Sequence, residues 1–357
     1  MRRDGSQSSV WQPCINNSMP LADRSGYEVK ISGNGVTALA AAALLQQQGK
    51  KCVLVTDQET QLPPTAYLTT ILPEGYRKHS KSALIADGMR TAIDLAEEWI
   101  ISSEMECDLV YEPGYLFSAQ TSNDVPDEKL AAETAGLVTT MVKSIPVPVP
   151  FTKACRFEYQ ARFNPAVFCM GLTKVFTEAG GVLVDRNTAD EAAIVAQHTV
   201  VLDDAATANK RNSYHLAFTL ASGIYPYGIA QCHDNGSYSF QRVMKDGKEY
   251  VLASLLDVSR ETDTTIAFDQ LEQVIRASFN VATIDFQWMN TYCHNCETSP
   301  LQLLDHEIRY QHAEAGSTYF TMALLAAQVI ADLVSDKENC FTPLFASQIN
   351  HLTGSEV

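Results

Sequence analysis

Positive charge is scarce in this chain: 26 Lys and Arg stand against 42 Asp and Glu, a formal net charge of −16 over 357 residues. That acid excess repels phosphate backbones and anionic lipid, so nucleic acid and membrane surfaces are excluded as expected partners, and a small molecule takes their place. Long apolar runs are missing too. The longest, Ala38 to Leu45, falls far short of the roughly 20 residues a membrane helix needs, and no apolar stretch follows Arg2 and Arg3 as a secretory leader requires. The nine cysteines are odd in number and scattered among apolar neighbours. This argues against a disulfide framework and for buried, reduced thiols in a cytoplasmic protein. The sequence also lacks G-x-S-x-G, a Walker loop and HExxH. Its lone CxxC, Cys293 and Cys296 around His294, has no second ligand pair, so no metal site is expected.

What is present suffices for a full core: 46% of residues are hydrophobic, and the length fits about two domains. Residues 1–26 are polar and aperiodic and read as an N-terminal arm. The alternating run YEVKIS (27–32), the break GNG (33–35), the helical VTALAAAALLQQQ (36–48) and the apolar CVLV (52–55) make a βαβ unit with two parallel, adjacent strands. A helix is predicted over 82–100, where Ile85, Met89, Ile93, Ala96 and Ile100 share a face. A short strand at 115–117, an acidic loop and the extended, proline-spaced IPVPVPF (145–151) follow. Asn164 and Pro165 open a helix that Gly180 and Gly181 close, before strands at 182–184 and in HTVVLDD. Residues 211–258 read as three strands joined by turns. Helices over 268–278 and about 321–334 complete the order.

This order predicts an α/β protein: a Rossmann-like FAD/NAD(P)-binding domain with an inserted antiparallel β-rich substrate domain. The nucleotide-binding domain is assembled from residues 27–105, 157–205 and 305–340, the β-rich one from 106–156 and 206–304, and 341–357 form a tail. The cleft between them is the expected ligand site.

One motif carries a mechanism. Gly33, Gly35 and Ala38 fit G-x-G-x-x-G/A after a strand and at a helix start. The first glycine serves a tight turn, the second allows pyrophosphate to approach the backbone, and the small third residue permits close packing. Asp57 lies 22 residues after Gly35, at the second strand's end, where an acid accepts hydrogen bonds from a ribose. A tight turn that binds nothing is the other reading of these residues.

SVWQP before the first strand, KISGNGVTALAAAALLQQQGKKCVLVTD, TAYLTT (65–70), FEYQARFNPAVFCMGL (157–172), RNSYHLA (211–217) and LLAAQVIADLV (324–334) occur in the order of a known family. In them the chain resembles the D-amino-acid-oxidase-type FAD-dependent oxidoreductases, and most the branch often fused to a Rieske domain, whose C-x-H and C-x-x-H ligands are absent here. The resemblance implies FAD, with Gly33, Gly35, Ala38, Asp57 and Gly316 around it, and oxidation of a small amine or amino acid by hydride transfer to flavin. By position it also implies a substrate face with Tyr225, Tyr227, Tyr238 and Arg242, the last as a carboxylate clamp.

The sequence departs from the family in places. Pro63 and Pro64 offer no N–H after the acid. Leu202, Asp203 and Asp204 end the third strand where a small pair is usual. Ser254 and Leu255 stand for paired glycines, and Tyr319 and Phe320 occupy the entry to the last helix. A second reading is therefore open: a degenerate relative that has lost FAD and serves as a binding, regulatory or subunit protein with a protein partner.

Overall fold

The computed structural model describes residues 9–11, 14–15, 25–57, 59–60, 66–72, 75–122, 124–188, 190–203, 210–234, 238–293, 301–304, 306–311 and 318–346; for 14, 15, 59, 60, 203, 210, 292 and 293 it describes the backbone alone. In chain order the elements are β1 (Cys14–Ile15), β2 (Tyr27–Gly33), α1 (Val36–Gln47), β3 (Cys52–Thr56), β4 (Glu59–Thr60), β5 (Tyr67–Leu68), α2 (Ser82–Ser102), β6 (Val110–Ser118), α3 (Asp124–Thr134), β7 (Thr139–Val142), β8 (Lys153–Arg162), α4 (Pro165–Glu178), β9 (Val182–Asp185), β10 (Ala196–Asp203), β11 (Lys210–Leu220), β12 (Ile229–Cys232), β13 (Tyr238–Lys245), β14 (Lys248–Ser259), α5 (Thr264–Ser278), β15 (Val281–Cys293), β16 (Leu301–Leu304), β17 (Glu307–Gln311), α6 (Tyr319–Val334) and α7 (Thr342–Phe345).

Six strands form one sheet in the order β16-β17-β10-β2-β3-β9, all parallel except the edge strand β16. The predicted neighbours β2 and β3 pair in parallel, Val29 opposite Cys52. The side chains of β3 are buried on both faces, as in a covered parallel sheet, while on β2 Glu28 and Lys30 are half-buried. Helix α1 packs against both α4 and α6, and α2 against α6. Ala38, Ala40, Ala41, Ala42 and Ala43 of α1 are wholly buried; a helix apolar all round is one enclosed by neighbours, and small side chains let those neighbours approach. Helix α4 begins where expected, with Asn164 Oδ1 accepting from the N–H of Ala166 and Val167.

The other large sheet runs β15-β11-β14-β13-β12-β6-β8-β5, with β7 added on β8. Only its β12–β6 pair is parallel. Alternate residues feed two apolar layers. Tyr214, Phe218, Phe240, Val251 and Leu255 pack beneath Phe268, Leu271 and Ile275 of α5. On the opposite face Ala217, Val243, Tyr250, Leu252 and Trp288 meet Val10, Trp11, Ala66 and Ala166. Strand β8 crosses position 157 without interruption and belongs to this sheet.

The acidic segment after Ser118 is a helix, not the expected loop. Asp124 and Asp127 sit in the first turn of α3, where carboxylates complement the helix dipole, and the buried Glu128 accepts the backbone N–H of Tyr76 and Arg77. Strands β1, β4, β5, β7, β8, β12, β15, β16 and β17 have no counterpart in the expected order. Among the described residues no helix is long and apolar enough to cross a membrane.

Candidate functional site

The turn between β2 and α1 has a conformation that its sequence demands. Gly35, the N-cap of α1, has φ 88° and ψ −171°, a region essentially closed to residues with a Cβ. Asn34 ties this turn to β3. Its Oδ1 accepts the Gly35 N–H at 2.8 Å and the Thr56 hydroxyl at 3.3 Å, while its Nδ2 donates to Asp57 Oδ2 at 3.1 Å. Gly33 does not make the tight turn expected of it; it lies in the extended strand. A Cβ there would fall 2.5 Å from Leu202 Cβ and 2.9 Å from the Leu202 carbonyl oxygen. The first glycine therefore serves the close approach of β10. Ala38 is buried in the first turn of α1, as its small size suggests.

No side chain caps α1 and no acid lies in its first turn, so its dipole end keeps a positive field suited to an anionic group. Asp57 is half-buried at the end of β3, with Arg186 Nη1 3.9 Å from its Oδ1. The Gly35 conformation, the uncapped helix end and the strand-end acid together fit a dinucleotide. Gly316, Pro63, Pro64 and Asp204 lie outside the described residues, as do His294, Cys296 and the side chains of Asp203 and Cys293. Phe320 is turned into the core, edge-on to Phe163 at 4.6 Å and Phe168 at 5.4 Å. In TAYLTT, Gln160 Oε1 accepts from the Thr69 hydroxyl and the Thr70 N–H, and the Thr69 N–H donates to Thr321 of α6.

A second constellation was not legible in the sequence. Register pairing places Gln231, Ser239, Ser254, His215 and Trp288 in one rung across β12, β13, β14, β11 and β15. This rung shares the sheet face of Val243 and Leu252, and its polar members are 0–1% exposed. His215 Nδ1 meets Ser254 Oγ at 2.8 Å and its Nε2 meets Ser213 Oγ at 2.9 Å, while Trp288 stacks on the ring at 5.0 Å and 24°. Two residues along β13 on the same face, Gln241 is 0% exposed. Both polar atoms of its amide, and the Ser239 hydroxyl, have no hydrogen-bond partner among the described residues. Unpartnered buried groups cost about 1–3 kcal/mol each, and natural proteins carry few of them outside functional sites. The one signal in the sequence was polar residues at every second position, Ser213 with His215 and Ser239 with Gln241.

Burial lowers the His215 imidazole from its ordinary 6.5 to about 3, so the folded protein holds it neutral. The unfolded chain takes up its proton as pH falls through 6.5, whereas the folded chain waits until about 3. Stability from this residue is thus complete above pH 6.5 and declines below it by about 1.4 kcal/mol per pH unit. Denaturant titrations across that range should show this slope, and His215→Gln should remove one proton's share of it.

The four residues expected on the substrate face are not brought together. Tyr225 and Tyr227 line a cavity of about 580 Å³ with Ile145, Pro148 and Phe279, and the Tyr225 hydroxyl accepts the Leu220 N–H. Tyr238 lines another, of about 230 Å³, on the face that carries Phe240, its hydroxyl accepting from Gln270 at 2.9 Å. Arg242 is no clamp for a substrate carboxylate, because protein carboxylates already hold it. Its Nη2 lies 3.1 Å from Glu112 and its Nη1 3.2 Å from Glu249. Glu112, its side chain fully buried, also accepts from Arg162 Nε at 3.3 Å, the Tyr67 hydroxyl at 2.9 Å and the Gly228 N–H at 2.9 Å. Burial, then the Glu112 charge, holds the Tyr67 phenol well above its usual range. This cluster ties β5, β6, β8 and β13 together.

Cys52, Cys107, Cys155, Cys169 and Cys232 are buried and Cys340 is exposed, and none of the six is in a disulfide among the described residues. Burial raises the thiols of Cys52 and Cys155 to about 12 and those of Cys107 and Cys232 to about 11, so none of these four is a nucleophile.

Glycine oxidase from Bacillus cereus ATCC 14579 is similar in fold, with a TM-score of 0.69, 10% identity and coverage of 92% of this chain and 100% of that one. L-amino acid deaminase from Proteus vulgaris gives a TM-score of 0.71 at 12% identity, covering 92% and 94% of the two chains. L-proline dehydrogenase from P. horikoshii gives 0.70 at 10% identity, covering 89% and 96%. In sequence, a protein of Bacillus subtilis (strain 168), YhfW, named for a Rieske 2Fe-2S iron-sulfur centre, is 20% identical over 374 aligned residues, covering 93% of this chain and 73% of that relative. The DAO family model, described as FAD dependent oxidoreductase, matches residues 28–333. With most of its length inside that match, and with the fold of the amino-acid-oxidising neighbours, the chain belongs to the DAO family of FAD-dependent oxidoreductases.

Proposed function

We propose that this chain oxidises a small amine or amino acid in the cytoplasm, with FAD held by Gly33, Gly35, Ala38 and Asp57 and by Gly316, which precedes α6 in the sequence. The six-stranded sheet with its helices then serves as the cofactor domain and the larger sheet, which includes β5 and β8, as the substrate domain. One observation carries the reading: a turn conformation open only to glycine at the uncapped start of α1, in a fold whose other sheet buries an unpartnered hydroxyl and amide at Ser239 and Gln241. FAD bound there would supply the acceptor for the hydride of a substrate C–H, the proton of the adjacent N–H passing to water as the C=N bond forms. The protein's own part is binding, orientation and exclusion of water. Trp11, Val243, Leu252 and Trp288 keep the rung face dry, and neutral His215 holds Ser254 and Ser213 in place.

The purified protein should be yellow, with flavin absorption bands that survive gel filtration. A colourless protein that gains no bound absorbance after incubation with excess FAD would instead support the second reading, a fold kept without its flavin and used as a partner subunit. Asn34 is the observation in favour of that alternative, because its side chain takes the Gly35 N–H and one Asp57 oxygen, two groups that a dinucleotide would otherwise use.

A further inference from the structure

We infer that Ser239 and Gln241 bind the non-reacting end of the substrate, and that this end is a neutral hydrogen-bonding group, a carboxamide, in place of a carboxylate. The inference rests on the oxidation proposed above and names the substrate class of that site. Gln241 presents one unused donor group and one unused acceptor, and Ser239 adds a hydroxyl on the same face. A carboxamide matches that set with a donor and an acceptor of its own. A carboxylate brings acceptors only, leaves the Gln241 carbonyl unpartnered, and carries a charge into a dry neutral rung.

The arginines of β8 and β13 are ion-paired, although the Nε of Arg156 and of Arg242 has no hydrogen-bond partner among the described residues. Arg162 and Arg242 hold Glu112, Arg242 also holds Glu249, and Arg156 holds Glu158. Lys245, four residues along β13 from Gln241 and so about 13 Å away, lies over the Phe286 ring and beside Asp246. His215 is neutral and bonded at both nitrogens. Among the described side chains of the rung none carries a positive charge.

Calorimetric binding to the purified protein tests this with two isosteric pairs, glycinamide against glycine and prolinamide against proline. At least one amide should bind saturably and about tenfold or more tightly than its acid. Gln241→Leu should abolish that binding and raise the melting temperature of the ligand-free protein, because an unpartnered buried amide gives way to an apolar group. An acid that binds as tightly as its amide overturns the inference, and so does saturable binding by neither amide. A lower melting temperature for Gln241→Leu overturns it as well, since the amide would then be satisfied by the protein itself. The visible spectrum of the same samples judges the flavin separately: colourless protein rejects the oxidation, whatever the amides do.

Discussion

A Gly35→Val protein is expected to emerge from purification without FAD and less stable by about 1–3 kcal/mol. Gly35 adopts φ 88° and ψ −171°, which a β-branched residue reaches only under strain. The substitution also places two methyl groups at the start of α1, where a pyrophosphate must come close to the backbone to use the helix dipole. Relaxing the strain moves the turn away from Asn34, which bridges it to Thr56 and Asp57, so the strand-end acid loses its alignment too. The ratio of flavin to protein absorbance reads the effect directly. An unchanged ratio would remove this turn from the cofactor site, whatever happened to stability.

Glu112→Gln should lower the stability of the whole protein by about 3–5 kcal/mol. The wild-type carboxylate is fully buried between Arg162, itself 8% exposed in its side chain, and Arg242. Removing its charge leaves Arg162 desolvated without a counterion, and the amide cannot satisfy four donors as the carboxylate does. Glu249→Gln is the matched control: it faces the same Arg242 but is 40% exposed, and it should cost less than about 1 kcal/mol. Denaturant midpoints with unchanged slopes compare the two. Equal midpoints for both variants would show that the buried pair carries no special weight.

Much of the six-stranded sheet and its helices was legible because their signals are local. The glycines of GNG, the Asn164-Pro165 helix start and the apolar stripe from Ile85 to Ile100 each state a backbone conformation within a few residues. The DAO resemblance added the order of segments. The larger sheet was poorly legible. Strand β15 spans 13 residues whose partner, β11, is far away in sequence, and its mixed polar and apolar residues follow no clean alternation on this edge strand, where Trp288 alone is buried among the described side chains. Helix α3 read as an acidic loop, since its low apolarity hides the buried Val125, Glu128 and Ala132.

By itself the sequence determined what short-range sterics and capping control: a βαβ unit with a turn only glycine can make, and a helix start at Asn164 and Pro165. Only the tertiary structure decided which polar groups are engaged and which stand unused. Arg242 passes from clamp to brace because Glu112 lies 130 residues away in sequence and 3.1 Å away in space. Ser239, Ser254 and His215 become one rung because three strands share a register. Partners of this kind are set by strand pairing between distant segments, and the burial that leaves Gln241 without one is a property of the closed fold.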